Sequence, residues 1–242
     1  MIYTDLKHFS HNHNLKPECD GIPFRCDGCM EPGWGPRYRC DGCNYDLHQH
    51  CAVYTATIFH SMCKNNPFKF LQSGPDNKHC NACGRDVLGF SYRCNDRDYD
   101  LHPSCANLPM TGVCDGVEIH LRESHSVKAK CNICGNKESK SGRRGWSYRS
   151  ACKKYHFHVS CVIDVGIKNW EEEYFAGRRP GMELTVIPSL QLTAMNYGAS
   201  SSGGKINKYW RITKLVFKLI ISTVIGDPIT GITSLAESIF SG

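Results

Sequence analysis

A fourteen-residue segment, Tyr38 to Cys51, recurs twice further along the chain, and each copy follows a Cys-x-x-Cys pair. The first copy reads Tyr38-Arg39-Cys40-Asp41-Gly42-Cys43-Asn44-Tyr45-Asp46-Leu47-His48-Gln49-His50-Cys51. The second runs from Tyr92 through Tyr99, Leu101 and His102 to Cys105, the third from Tyr148 through Tyr155, Phe157 and His158 to Cys161. His48, His102 and His158 are spaced by 54 and 56 residues (102−48 and 158−102). Cysteine and histidine at fixed offsets in a repeat of this length describe a repeated metal-binding unit. A unit of about 55 residues buries only roughly 60% of its unfolded surface, so it needs staples.

The staples are disulfides or zinc. The chain has 16 Cys and 12 His, and every Cys lies at or before Cys161. Disulfides need an oxidising compartment, whereas Met1 to His8 shows no basic segment leading into an apolar run, so no secretory signal is expected. A disulfide framework also has no use for a His at a fixed offset, while zinc does. Zinc is the expectation, with a cytoplasmic or nuclear location. The formal charge of +6 is mild and spread along the chain. It permits an acidic partner without demanding nucleic acid.

Ligand spacing then assigns the sites. In the first repeat, Cys26, Cys29, His48 and Cys51 form one tetrahedral set; His13, Cys40, Cys43 and His60 form a second. His8 and His11 compete for the place of His13. The second repeat completes one set with Cys80, Cys83, His102 and Cys105. Its other set has only Cys63, Cys94 and Cys114, because Arg97 stands where Cys43 would be matched. Asp96 or His79 could fill that gap, but an empty, decayed site is the simpler expectation. The third repeat keeps Cys131, Cys134, His158 and Cys161, with Ser150 and Lys153 replacing the other pair and Cys152 out of register. His120, His125 and His156 lack a partner set and read as solvent-exposed. About four Zn2+ ions are expected, with a fifth doubtful. Closed N/S shells leave no position for a catalytic water, so no zinc enzyme is expected.

Tyr45 and Leu47, Tyr99 and Leu101, and Tyr155 and Phe157 alternate just before each ligand His, as in short strands over a minimal core. Phe24, Phe68, Phe70 and Phe90 read as joining that core.

These residues resemble the plant Cys/His-rich "divergent C-one" family, relatives of the phorbol-ester/diacylglycerol-type zinc module. The resemblance is carried by His8-Phe9-Ser10-His11-Asn12-His13-Asn14-Leu15, by Cys26-Asp27-Gly28-Cys29 and by the Tyr-Asp-Leu-His-x-x-Cys signature. Gly145 to Ser150 and His158-Val159-Ser160-Cys161 are similar to a degenerate last repeat of that family. It covers about residues 8–175. The resemblance implies small zinc-stapled α+β modules in tandem, each with short β-sheets, a short helix and interleaved zinc sites, and it implies roles in signalling or stress response. Lipid-binding relatives carry a longer, apolar-tipped loop between the second and third ligand pairs. Here that interval is ten residues (Cys29 to Cys40, Cys83 to Cys94), with Trp34 at one tip and Val87, Leu88 and Phe90 at the other.

The domain reading is a first module at 8–62, a second at 63–114, a degenerate third at 115–175, a linker at 176–204 and a basic amphipathic helical tail at 205–242. Asp164 to Phe175 reads as a short helix. In the tail, Lys208, Arg211, Lys214 and Lys218 alternate with Trp210, Leu215, Phe217 and Ile220. A second apolar stretch runs from Ile229 to Phe240. The tail's longest apolar run is about seven residues against the roughly 20 a spanning helix needs, so no transmembrane segment is expected. The helix can lie on an anionic membrane surface or dock on its own modules.

The function read from this is a non-enzymatic zinc protein that binds an unidentified protein partner as an adaptor. Nucleic-acid binding is one alternative, resting on charge and on the pairs Tyr38-Arg39, Tyr92-Arg93 and Tyr148-Arg149. Diacylglycerol or membrane-lipid binding is another. A plant-homeodomain-type finger would take Cys80 and Cys83 into the first repeat, although they open a repeat of their own. A thiol–disulfide oxidoreductase is the remotest alternative, since no βαβ pattern surrounds any Cys-x-x-Cys.

Overall fold

The Tyr-Arg-Cys and Tyr-Asp-Leu-His segments place side chains alternately in and out, and each pair of segments folds back on itself as antiparallel strands. The computed structural model describes residues 5–63, 66–123, 129–138, 145–175 and 203–226. Its strands are β1 (Leu6–Lys7), β2 (Asn14–Glu18), β3 (Phe24–Arg25), β4 (Pro32–Gly33), β5 (Arg37–Cys40), β6 (Tyr45–His48), β7 (Thr57–Ile58) and β8 (Phe68–Leu71). They continue with β9 (Ser91–Cys94), β10 (Tyr99–Leu101), β11 (Thr111–Cys114), β12 (Val117–Glu123), β13 (Trp146–Ser150) and β14 (His156–His158). The helices are α1 (Gln49–Ala52), α2 (Val159–Phe175) and α3 (Gly203–Val224).

Three sheets repeat one antiparallel design: β1-β2-β5-β6, β7-β8-β9-β10 and β11-β12-β13-β14, with β3-β4 as a separate hairpin. These are tandem small zinc modules with short sheets and few helices, as the sequence led us to expect. The module starts differ from the expected ones. Thr57–Ile58 pairs with β8, so the second module opens before residue 63; Thr111–Cys114 pairs with β12, so the third opens before 115. Each module therefore begins with its own hairpin, a feature the ligand spacing alone does not reveal.

The charged residues inside these strands pair across the sheet. Arg39 faces Asp46 and Arg93 faces Asp100, with ion-pair distances of 3.2 and 2.8 Å. Burial raises the pKa of Asp46 and of Asp100; Arg37 and then Arg39 pull Asp46 back toward the charged form, and Arg93 does the same for Asp100. In the third module the partner position is His156, opposite Arg149. The Tyr-Arg pairs thus serve sheet packing in the first two modules.

By their contacts the residues form two units, each described by itself. The first holds the sheets of modules one and two, drawing on residues up to 78, 87–104 and the chain from 222. Its core gathers Leu15, Phe24, Leu47, Cys26, Cys29 and Cys51, with Phe90 among them. A layer of rings extends it: Tyr54 stacks on Phe70 at 4.3 Å, and Phe70 lies edge-on to Phe90 at 5.4 Å. Here the chain just past α3 returns, where Trp34 donates its N–H to Ile225 O at 2.7 Å.

The second unit, 79–86 and 105–221, holds the third sheet and most of α2 and α3. The helix α2 starts at Val159, five residues before the expected Asp164, because it grows directly out of β14. On α3, Tyr209, Ile212, Val216, Phe217, Ile220 and Ile221 are buried at three- and four-residue spacing, the pattern of one packed face. Two glycines let it approach closely. A Cβ on Gly166 would lie 2.4 Å from Ile221 Cδ1, and one on Gly112 would lie 2.8 Å from Leu219 Cδ1. Arg211 reaches Asp115 at 2.8 Å. Among the described residues no helix is long and apolar enough to cross a membrane. Residues 176–202 of the expected linker and the stretch from Ile229 to Phe240 lie outside the described residues.

Candidate metal centres

Each Cys-x-x-Cys is a knuckle with one hydrogen-bond design. The first Cys donates its N–H to the carbonyl five residues on: Cys26 to Glu31 at 3.0 Å, Cys80 to Arg85 at 2.8 Å and Cys131 to Asn136 at 2.8 Å. The residue four on donates back to the carbonyl of that Cys: Met30, Gly84 and Gly135, at 2.8, 2.8 and 2.9 Å. This turn requires a left-handed backbone at the fourth residue, with φ of 64°, 74° and 72°. Glycine meets that demand freely at two of the three; Met30 carries the strain. The turn aims both thiols at one point, and the strand ahead of each helical turn supplies the rest. His48 ends β6 and Cys51 lies in α1; His158 ends β14 and Cys161 lies in the first turns of α2.

Four groups of potential ligands result, each with its ligand atoms within 4.8 Å of one another. Three are Cys26-Cys29-His48-Cys51, Cys80-Cys83-His102-Cys105 and Cys131-Cys134-His158-Cys161; the fourth is His11-His13-Cys40-Cys43. Zn–S distances of about 2.3 Å in a tetrahedron put sulfurs about 3.8 Å apart, so these spacings suit zinc. In the first and third modules the imidazole turns Nδ1 to the thiols: His48 Nδ1 lies 3.4 Å from Cys29 Sγ, and His158 Nδ1 lies 3.6 Å from both Cys134 and Cys161 Sγ. The far nitrogen of His158 donates to Lys137 O at 3.1 Å, and His102 Nε2 lies 3.6 Å from the Glu31 carboxylate. Such outer partners orient a ligand ring and raise its basicity.

The electrostatics of the sets anticipate a cation. Cys131 is brought down to about 3 chiefly by its hydrogen bond with Cys161, while Cys161 is pushed up in return. Burial opposes ionisation of Cys26, yet Cys29, Cys51 and His48 hold its thiol well below the usual range. Crowded thiols that share their protons in this way are ready to exchange them for a divalent metal.

The fourth set corrects the assignment of His60. His11, not His60, joins His13, Cys40 and Cys43, with His13 Nδ1 at 3.1 Å from Cys43 Sγ. His11 is held by stacking on Tyr45 at 4.4 Å. His60 instead sits between β7 and β8, edge-on to Phe68 at 6.1 Å, in the hairpin that opens the second module. It occupies the place that His11 and His13 hold between β1 and β2. The expected trio Cys63, Cys94 and Cys114 is also corrected. Cys63 and Cys94 are joined as a disulfide. Cys114 ends β11 in the third module, near Asp115, Arg211 and Lys208. Arg97, in the Cys43 position, donates to Met62 O at 2.7 Å and lies over the Tyr99 ring. In the third module Ser150 and Cys152 contact each other at 3.3 Å. His156, expected in solvent, is buried beside His158, and burial lowers its pKa. His120 is partly exposed near Glu118, and His125 lies outside the described residues. Because Cys80 and Cys83 group with His102 and Cys105, the plant-homeodomain-type grouping does not form.

Residues 9–52 and 64–106 each match the family model of the C1 domain. These two segments are C1 domains. No curated protein and no solved structure matches the chain. The matched segments hold three strands of each of the first two sheets and three of the four Cys/His sets, and the third repeat carries the same knuckle. The four sets are the zinc-binding part of the protein; zinc bound there supplies a cross-link between a knuckle and a helical turn in three of them, and between Cys40, Cys43 and the β1–β2 hairpin in the fourth.

Native mass spectrometry of protein prepared under reducing conditions should find four zinc ions per chain. Two or fewer would overturn the assignment. Because binding displaces thiol and imidazole protons, acid should release the metal. The His11-His13-Cys40-Cys43 set, with His13 and Cys43 exposed, should empty first as pH falls, ahead of the three sets formed by Cys-x-x-Cys and His-x-x-Cys. Simultaneous release of all four ions, followed with a chromogenic chelator, would contradict that order.

Proposed function

We propose that the chain is a non-enzymatic adaptor whose zinc-stapled C1 domains bind a protein partner, in the cytoplasm or nucleus. The observation that carries this is the closure of the loops between the second and third ligand pairs. Trp34 is 4% exposed, with its indole N–H on Gly21 O at 3.0 Å, and Phe90 is 5% exposed. Of the tip residues, Trp34, Val87 and Phe90 are buried and Leu88 alone is exposed, so the loops offer a lipid bilayer a single apolar side chain, which argues against the diacylglycerol alternative. The Arg side chains of the first two Tyr-Arg pairs are engaged by Asp46 and Asp100, which removes the main support for nucleic acid. Each complete set offers four N/S ligands, a shell in which zinc braces the fold and activates no water. A reducing compartment suits a chain with eleven cysteines in such sets.

The test is sedimentation of the zinc-loaded chain with phosphatidylserine vesicles, with and without diacylglycerol, beside affinity capture from the native source. The chain should stay in the supernatant, and capture of a defined protein should disappear when zinc is chelated. Diacylglycerol-dependent sedimentation, or capture that chelation leaves unchanged, would overturn this reading.

A further inference from the structure

The first two knuckles are each closed by the backbone of the following module, and in the same way. Phe90 donates its N–H to Gly28 O at 2.7 Å; Trp146 donates its N–H to Ala82 O at 2.9 Å. Gly28 and Ala82 occupy one position, immediately before the second Cys of the knuckle. Phe90 and Trp146 also occupy one position, two residues ahead of the repeated Tyr92 and Tyr148. In both cases a glycine precedes the donor; space demands it at Gly89, and at Gly145 it makes the fit close. A Cβ on Gly89 would lie 2.1 Å from Gly28 O, and one on Gly145 would lie 3.1 Å from Ala82 O. The donor ring is then buried: Phe90 covers Gly28 so closely that a Cβ there would meet the ring at 2.5 Å, and Trp146 is 2% exposed. A Gly-aromatic pair with a free N–H is thus a plug, and the carbonyl before the second Cys is its socket.

The third knuckle has the same turn, and among the described residues no plug meets it. Ile133 stands in the socket position, and among the described residues nothing donates to Ile133 O. Ile133 and Cys134 are partly exposed, whereas Gly28, Cys29, Ala82 and Cys83 are buried. We propose that the Cys131–Cys134 knuckle is an open docking end that takes the Gly-aromatic loop of a C1-type module on a different protein, with the loop N–H on Ile133 O and its ring against the Ile133 side chain. The occupant is argued from continuity, since two junctions within this chain already use that chemistry. A second copy of the chain does not supply the plug. Its Phe90 and Trp146 loops are engaged, and the matching residue of its first module is Pro36, which has no N–H. The Trp34 N–H in that loop is already on Ile225 O.

This deepens the protein-binding reading and rests on it. The test uses the zinc-loaded, nitrogen-15-labelled full chain and a cyclic peptide of residues 86–93, the loop that plugs the first knuckle. Amide shifts should be confined to residues 131–136. Binding should weaken about tenfold for the Phe90→Ala peptide, the scale of losing a buried aromatic anchor, and likewise for a peptide N-methylated at Phe90. It should vanish in an Ile133→Lys chain that retains four zinc ions. Three results would overturn the proposal: no shifts at 131–136 with saturating peptide, equal binding of the N-methylated peptide, or a Cys134 amide already as protected from exchange as that of Cys29. An Ile133→Lys chain that still captures its native protein would sink this docking surface and leave the adaptor reading standing. Loss of zinc-dependent capture by the unaltered chain would sink the adaptor reading itself.

Discussion

A His48→Ala chain will bind one zinc fewer and lose the fold of its first C1 domain, while a His50→Ala chain will keep all four ions. The two histidines are separated only by Gln49, but the structure gives them different work. His48 ends β6, is buried, and turns Nδ1 to Cys29 Sγ at 3.4 Å within the Cys26-Cys29-His48-Cys51 set. The same residues are the centre of the core, where Leu15, Phe24 and Leu47 pack around the thiols. Binding energy in a set like this is folding energy, on the order of 10 kcal/mol for small zinc domains. Removing one of four ligands takes away a large share of that energy, comparable to the few kcal/mol by which so small a domain is stable. His50 faces the other way and hydrogen-bonds Thr223 O through Nε2 at 3.2 Å. Its loss costs about 0.5–1.5 kcal/mol, the worth of one ordinary hydrogen bond, and is felt at the end of α3. Native mass spectra and melting curves of the two variants check this directly. Equal zinc loss from both would mean that the His-x-x-Cys register is wrong.

The sets built on Cys-x-x-Cys and His-x-x-Cys were legible because all four ligands sit on local devices whose spacing is rigid. The knuckle fixes two thiols within one turn, and a strand running into a helical turn fixes the His and the last Cys. The His11-His13-Cys40-Cys43 set was only half legible. Cys40 and Cys43 follow from spacing, but the other two ligands come from the hairpin β1–β2, and His60 satisfied a count along the chain equally well. What excludes His60 is strand pairing: Thr57↔Lys69 and Ile58↔Phe68 give that residue to the next module. Hairpins of two-residue strands leave almost no hydrophobic period to read. The fate of Cys63, Cys94 and Cys114 was hidden for the same reason, since Cys114 belongs to the hairpin that opens the third module. Phe90 could be placed in a core from its apolar character, but not in the core of the neighbouring domain. That placement depends on the absence of side chains at Gly28 and Gly89, a contact between residues 61 apart (89−28).

Ending the chain at residue 202, so that α3 and everything after it are lost, should leave a protein that binds apolar dyes, self-associates and melts at lower temperature. The sequence alone left membrane attachment and docking on the modules both open, because a basic amphipathic helix serves either. The buried face decides for docking. Ile212, Val216, Phe217 and Ile220 are wholly buried, and Gly112 and Gly166 are shaped to receive Leu219 and Ile221. At about 1.5–3 kcal/mol for each fully buried large aliphatic or aromatic side chain, four of them contribute on the order of 10 kcal/mol as an upper estimate. Zinc should respond unevenly. The Cys26-Cys29-His48-Cys51 set, whose residues all lie in the first unit, should stay loaded. The Cys131-Cys134-His158-Cys161 set should weaken most, because Cys161 lies in α2, the helix whose Gly166 accepts Ile221. Sedimentation velocity and zinc titration of the truncated chain measure both effects. A truncated chain that stays monomeric and fully zinc-loaded, beside a full chain that anionic vesicles pull down and salt releases, would show that α3 leaves the modules for a membrane surface. The burial of its apolar face within the second unit argues that it does not, since the stripe a bilayer would need is the one already packed against Gly112 and Gly166.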